Sequence, residues 1–305
     1  MSSAESWAGT GIPAETAARI RARGAVVDMP LTQSMYALPL SQQCRDGVVV
    51  TSDVAYGGDE RHRLDIYRPA DRGAALLPVM LFLHGGGFVR GDKSEKDNIG
   101  YYFARSGRVV MVANYRLAPA AVWPAGAEDA VAAHAWACAN ASRHGGDPQR
   151  IFLVGESAGA AHVAAATLVR RFHPPHGLAI AGAVLISGLY DVELEMLARR
   201  QFGVATPDPR NEPYFGAERE RYALMSTVRL IDAAPVPLLI TYAELDPPQM
   251  QVQAGELFAA LVTRHGFEPE LLVVPGHNHL TQVYSVNTGD ESLSHAIGQF
   301  LRKHS

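Results

Sequence analysis

The sequence predicts an α/β protein, with a mostly parallel, doubly wound sheet of eight strands and helices on both faces. Three observations carry that expectation. Short β-rich runs alternate with helical ones from Gly47 to the C-terminus. Most of the runs are continuously apolar, as strands buried on both faces must be. Their alternation is the βαβ rhythm of an open sheet. With 305 residues, 48% of them hydrophobic and 19% charged, the chain can build one large domain or two small ones around a sizeable core.

Taken in order, "VVVTSDVAY" and "HRLDIYRP" flank the Gly57–Gly58 turn and predict an N-terminal antiparallel hairpin. Six further strands are expected at "PVMLFLH" (78–84), "RVVMVANY" (108–115), "RIFLVGE" (150–156), "LAIAGAVLIS" (178–187), "VPLLITYAE" (236–244) and "PELLVVPG" (269–276). A helix is predicted over Ala158 to Phe172. Another is marked by Met250, Ala254, Leu257 and Leu261 at helical spacing, with Gly266 as its stop. For the last helix, Thr288 with Glu291 reads as a capping box ahead of Leu293, Ile297, Phe300 and Leu301; Arg302, Lys303 and His304 suit the negative end of its dipole. Two segments break the rhythm. Residues 1–46 hold one weak helix, about Pro13 to Arg23, and "MPLTQSMYALPL", which reads as a linker. Residues 188–235 hold no clear βαβ unit. Both are expected to form a helical lid over a core made of residues 47–187 and 236–305.

Composition narrows the function. Lys plus Arg number 27 against 31 Asp plus Glu, a formal charge of −4, and no basic run stands out, so nucleic acid is not an expected partner. No apolar run approaches 18 residues, so no membrane span is expected. The first residues lack the basic start and apolar core of a secretory signal. Cys44 and Cys138 read as two free thiols, and a cytoplasmic location is expected. His173 and His176 have only loose metal-like spacing, and no metal site is predicted.

The chemistry concentrates at "FLVGESAGAAH" (Phe152 to His162). A serine between glycines at a strand–turn–helix corner has its Oγ pushed outward at the strand's carboxyl end. Gly155 and Gly159 let the two arms pass closely, since a Cβ on either would collide. "LHGGGF" follows the strand before it, and its consecutive glycines expose backbone N–H groups suited to a developing oxyanion. That role is assigned to Gly85 and Gly86, with Ala158 as third donor; one such donor is worth about 2.7–4 kcal/mol of barrier. Serine needs a base, and the base needs an acid to hold its tautomer. Asp246 in "ITYAELDPP" and His279 in "VVPGHNHLTQ" follow successive strands, in the order Ser157, Asp246, His279. Glu244 is the alternative acid and His277 the alternative base. His84, Glu156, Arg116 and the Glu128–Asp129 pair read as structural braces.

These motifs, over roughly residues 47–302, resemble an α/β-hydrolase of the hormone-sensitive-lipase type, the bacterial esterase family IV. "HGGGF", "GESAG", "NYRLAPAAVWPAGAEDA" and "AELDPP" are similar to that family's oxyanion, nucleophile, bracing and acid-loop segments, and "VPGHNHL" aligns so that its histidine falls on His279. The resemblance implies the α/β-hydrolase fold, hydrolysis of small-molecule carboxylic esters of short acyl chain through a seryl acyl-enzyme, and no cofactor. It leaves a homodimer open. Two departures bear on substrate. Glu156 stands where that family has Asp or Thr, and Leu-Thr follows His279 where it has Gly-Phe. The tail after His279 and "RHRLDIYRP" also resemble kynurenine-formamidase-like and feruloyl-esterase-like relatives. An amide, formamide or carbamate is therefore the alternative substrate. A non-catalytic binder of the same fold is the remote one, disfavoured because serine, acid, histidine and glycine loop are all present.

Overall fold

The computed structural model describes residues 11–71, 73–203 and 211–305. The expected eight-stranded sheet forms, in the order β1-β2-β4-β3-β5-β6-β7-β8. Its strands are β1 (Val48–Ala55), β2 (Arg63–Pro69), β3 (Leu77–Leu83), β4 (Val109–Ala113), β5 (Gly146–Glu156), β6 (Gly182–Ile186), β7 (Leu238–Leu245) and β8 (Glu270–Asn278). β1 and β2 form the antiparallel hairpin, from Val48 opposite Pro69 to Ala55 opposite Arg63. β2 is antiparallel to β4, and every pairing from β4 to β8 is parallel.

The helices are α1 (Ala14–Arg23), α2 (Met29–Ser41), α3 (Asp97–Arg105), α4 (Ala125–Asn140), α5 (Ala158–Leu168), α6 (Val192–Gln201), α7 (Glu212–Phe215), α8 (Thr227–Leu230), α9 (Pro248–His265), α10 (Thr281–Tyr284) and α11 (Ser294–Lys303). Side chains of a strand alternate between faces, and both faces are covered. Val79, Leu81, Leu83, Ile151 and Leu153 pack with alanines of α4 and α5 and with Leu257 and Leu261 of α9. Met80, Phe82, Phe152 and Val154 pack with Ile99 and Phe103 of α3 and Ile297, Phe300 and Leu301 of α11. Continuous apolar strands follow from burial on both sides. The bracing segment also acts as read: Arg116 pairs with Asp129 at 2.7 Å, and His62 lies 3.0 Å from the same carboxylate.

Four local expectations are corrected. The "MPLTQSMYALPL" linker is helix α2. Asp28 caps it through the Leu31 N–H at 3.0 Å, and Pro30 falls in the first turn, where a missing N–H is harmless. The Thr288–Glu291 capping box does not form. Thr288 Oγ1 instead donates to the Ser285 carbonyl, Asp290 accepts the Ser292 N–H at 2.9 Å, and α11 begins only at Ser294. α5 ends at Leu168, and Arg170–Phe172 form a separate 3-10 turn. β6 starts at Gly182 rather than Leu178.

The two segments outside the βαβ rhythm lie over the carboxyl ends of the strands; their residues 1–10 and 204–210 fall outside the described residues. Met35 and Tyr36 of α2 cluster with Tyr284. From the second segment, Tyr214, Phe215 and Tyr222 pack on Phe88 and Ala158, whereas Phe202 stays exposed. Phe88 stacks on Tyr214 at 4.6 Å and meets the edge of His162, on α5, at 5.4 Å. Beside them His84 stacks on Tyr115 at 4.5 Å.

Burial drives the His84 pKa down to about 4 and that of His162 to about 3. In the unfolded chain both rings titrate near about 6.5. As pH falls below that value, the unfolded chain takes up protons that the folded protein refuses. Stability should therefore decline from about pH 6.5 toward pH 4, by up to about 1.4 kcal/mol per pH unit for each ring. Urea midpoints at pH 7, 6 and 5 check this, and a level profile would refute it.

Candidate active site

Each chemistry-bearing loop leaves the carboxyl end of a parallel strand, so residues far apart in sequence reach one edge of the sheet. Ser157 follows β5 directly, with φ 54° and ψ −115°, a strained conformation for a non-glycine residue. Packing leaves it no alternative. A Cβ on Gly155 would lie 2.4 Å from the Gly159 carbonyl oxygen, and one on Gly159 would lie 2.2 Å from that of Leu83. The Ser157 N–H donates to the Ile186 carbonyl at 2.7 Å, locking the corner to β6.

The structure brings the three expected side chains together. Ser157 Oγ lies 2.9 Å from His279 Nε2, and His279 Nδ1 lies 2.7 Å from Asp246 Oδ1. With Nδ1–H donating to the carboxylate, Nε2 is free to accept the serine proton. The rival acid and base are engaged elsewhere. Glu244 accepts the Gly276 N–H at 2.8 Å. His277 is fully buried, with Nδ1 3.1 Å from Thr281 Oγ1 and Nε2 3.0 Å from Asp290 Oδ2.

Two partners of Asp246 escape sequence reading. Its Oδ2 accepts the Ser187 Oγ–H at 2.5 Å and the Ala243 N–H at 2.8 Å. Gln282 Nε2 in turn donates to Ser187 Oγ at 2.7 Å. Ser187 directly follows β6, is buried, and has φ 49°. A lone serine after an apolar strand carries no motif; only its backbone strain and its contact mark it.

The oxyanion assignment needs one correction. The Gly85 N–H donates to Glu156 Oε2 at 3.3 Å, so it is turned into the protein and away from Ser157. The N–H groups of Gly86, Gly87 and Ala158 have no hydrogen-bond partner among the described residues, and all three residues line the cavity beside Ser157. The bend is a glycine conformation: Gly86 has φ 144°, and a Cβ there would meet the Arg90 carbonyl oxygen at 1.9 Å. Of the two glycines assigned from "HGGG", Gly85 has its N–H engaged by Glu156 and Gly86 does not. The loop turns only after Gly85, which the linear pattern does not reveal.

Glu156 is the brace that sequence expected it to be. Its carboxylate is buried and pairs with Lys96 Nζ at 2.8 Å; Lys96 lies 5.0 Å over the Tyr284 ring. Burial opposes the ammonium charge, yet Glu156 overrides it and holds the Lys96 pKa above its ordinary value. His84 braces the same loop, with Nδ1 2.7 Å from the Gly85 carbonyl oxygen.

A cavity of ≈ 180 Å³ opens over Ser157 and His279. α2 and the linker that joins α1 to it contribute Val27, Met29 and Gln33. Leu189, Glu195, Arg199 and Asn211 come from the second excursion, and Gln249 and Met250 from α9. Among the described residues no cluster of side chains is arranged to hold a metal ion, and no helix is long and apolar enough to cross a membrane.

A family model described as alpha/beta hydrolase fold matches residues 80–283. An isoprenylcysteine alpha-carbonyl methylesterase of Arabidopsis thaliana is 35% identical over 139 residues, covering 46% of this chain and 31% of that protein. The chain covers 29% and 58% of two related rice proteins, so it spans less than two thirds of these curated relatives. An ethyl acetate hydrolase of Pseudomonas putida is 27% identical over 271 residues, 83% of this chain and 82% of that one. Among solved structures, a bacterial heroin esterase superposes with a TM-score of 0.75 at 25% identity, covering 96% of this chain and 98% of its own. Esterase B of Lactobacillus rhamnosis gives 0.71 at 16% identity over 94% and 95%, a likeness of fold alone.

The Lys96–Glu156 pair makes a definite prediction. Replacing Lys96 by Met strands a buried carboxylate and should destabilise the protein by about 3–5 kcal/mol. Adding Glu156→Gln should recover most of that loss. Chemical denaturation of the two variants checks both signs.

Proposed function

The chain belongs to the alpha/beta hydrolase fold family, and on that premise we propose that it hydrolyses small carboxylic esters through an acyl-enzyme on Ser157. The observation that carries this reading is the continuous relay Ser157–His279–Asp246, at 2.9 and 2.7 Å, in the floor of a cavity lined by Gly86, Gly87 and Ala158. His279 takes the Ser157 proton as Oγ attacks the ester carbonyl, and Asp246 orients the ring and stabilises its cation. The Gly86, Gly87 and Ala158 N–H groups receive the negative charge on the carbonyl oxygen. The alcohol leaves with the proton from His279; water, activated by the same ring, then releases the acid.

Several observations support short esters. The cavity, at ≈ 180 Å³, falls below the roughly 300–1,000 Å³ typical of pockets for drug-sized ligands. We read α1, α2 and the residues after β6 as lid segments that close it. The similar Pseudomonas protein is named for ethyl acetate, a two-carbon acyl ester.

A series of p-nitrophenyl esters from acetate to decanoate tests this reading. Activity should peak at the short end, and Ser157→Ala should lower kcat by roughly 10⁶-fold without loss of fold. A maximum at decanoate would overturn the chain-length proposal, and undiminished Ser157→Ala turnover would overturn the nucleophile. Ser187→Ala removes a hydrogen bond to a buried carboxylate. It should lower kcat roughly tenfold or more with KM little changed; an unaltered kcat would show that Ser187 does not position Asp246.

A further inference from the structure

Helix α9 carries three glutamines in its first two turns, and two have evident structural tasks. Gln253 is buried and fully engaged: its Oε1 accepts the Tyr190 and Asp191 N–H groups at 2.8 Å each, and its Nε2 donates to the Asp191 carbonyl at 2.8 Å. Gln251 Nε2 donates to the Asp246 carbonyl at 2.7 Å. Gln249 differs. It is 5% exposed, lines the cavity that holds Ser157 and His279, and its Oε1 is buried without a hydrogen-bond partner. Its amide nitrogen has no partner among the described residues either.

Buried side-chain amides are almost always satisfied, and one left unmatched in a cavity wall is costly unless something entering the cavity completes it. The cavity carries further polar side chains. Glu195 and Arg199 of α6, a helix that packs against α9, are buried and 3.4 Å apart, and both line the same cavity, as does Asn211. An amide both donates and accepts, and a hydroxyl group is its complement in both respects.

We propose that Gln249 is a specificity residue whose amide hydrogen-bonds a hydroxyl group of the substrate, so that the preferred substrates are short hydroxylated esters and not plain alkyl esters. This rests on the ester-hydrolase reading above. The hydroxyl can belong to the acyl or the alcohol part, and two pairs of esters separate these. In the first pair, p-nitrophenyl 3-hydroxybutyrate is compared with p-nitrophenyl butyrate; in the second, glycerol monobutyrate with propyl butyrate.

The experiment measures kcat/KM for all four esters with the full chain and with Gln249→Leu, using Gln249→Met should the leucine variant not fold. In one pair the hydroxylated-to-plain ratio should fall by about tenfold on substitution, the worth of a hydrogen bond to the substrate. The thermal midpoint of the free variant should not fall, because leucine leaves no polar atom unmatched. Unchanged ratios in both pairs would overturn the proposal while leaving the hydrolase reading intact. A lowered midpoint with unchanged ratios would likewise overturn it, by making Gln249 a structural residue. Absence of hydrolysis of any of the four esters by the unaltered chain would sink the parent reading and this one together.

Discussion

The site is organised around a carboxylate from which water is excluded. Asp246 is wholly buried, and a charge in that setting persists only when hydrogen bonds replace its lost hydration. It draws three donors from three places: the His279 ring beyond β8, the Ser187 hydroxyl directly after β6, and the Ala243 N–H within β7. Satisfying one anion therefore aligns three adjacent strand ends. The imidazole is left with one orientation, and that orientation faces Ser157.

A second buried charge does comparable work beside the glycine loop. Glu156 follows the glycine of the strand–helix corner and precedes Ser157, so its side chain necessarily points inward beside the oxyanion loop. There it holds the Gly85 N–H and is held by Lys96, whose ammonium lies over the ring of Tyr284, a residue that packs on α2. The loop that carries Gly86 and Gly87 is thus braced by an ion pair, and through Tyr284 that pair is connected to α2. The cavity beside Ser157 takes Glu156 and Lys96 into its lining. To its lining α6 adds Glu195 and Arg199 and α9 adds Gln249, elements whose sequence carries no recognised chemical motif.

Much of this was legible in the amino-acid order, and the parts that were not share a physical cause. The central strands announced themselves because burial on both faces demands unbroken apolar runs such as "VMLFL" and "IFLV", and the first hairpin, with its largely exposed β1, did so through its turn. The corner at Ser157 was legible because only glycine tolerates carbonyl oxygens at 2.2–2.4 Å from where its Cβ would stand. Local rules failed where tertiary packing competed with them. Two prolines made α2 look like a linker, yet Asp28 supplies a cap and Tyr284 a surface to pack on. Thr288 and Glu291 had cap spacing, but the chain turns about Asp290 first.

Residue identity and order by themselves determined the sheet and the corner at Ser157, and narrowed the acid to Asp246 or Glu244 and the base to His279 or His277, because these depend on apolar periodicity, on steric tolerance and on position after successive strands. The hydrogen bonds of the fold then join Asp246 and His279 to Ser157. Only the tertiary structure decided which glycine amides face the serine, that Ser187 and Gln282 serve Asp246, and that Gln249 stands unmatched in the cavity wall. The reason is geometric. Ser187 and Asp246 are 59 positions apart, and Ser157 and His279 are 122 apart. Whether a donor meets an acceptor across such distances turns on a few tenths of an ångström in how the loops pack, and no pattern of neighbouring residues encodes that.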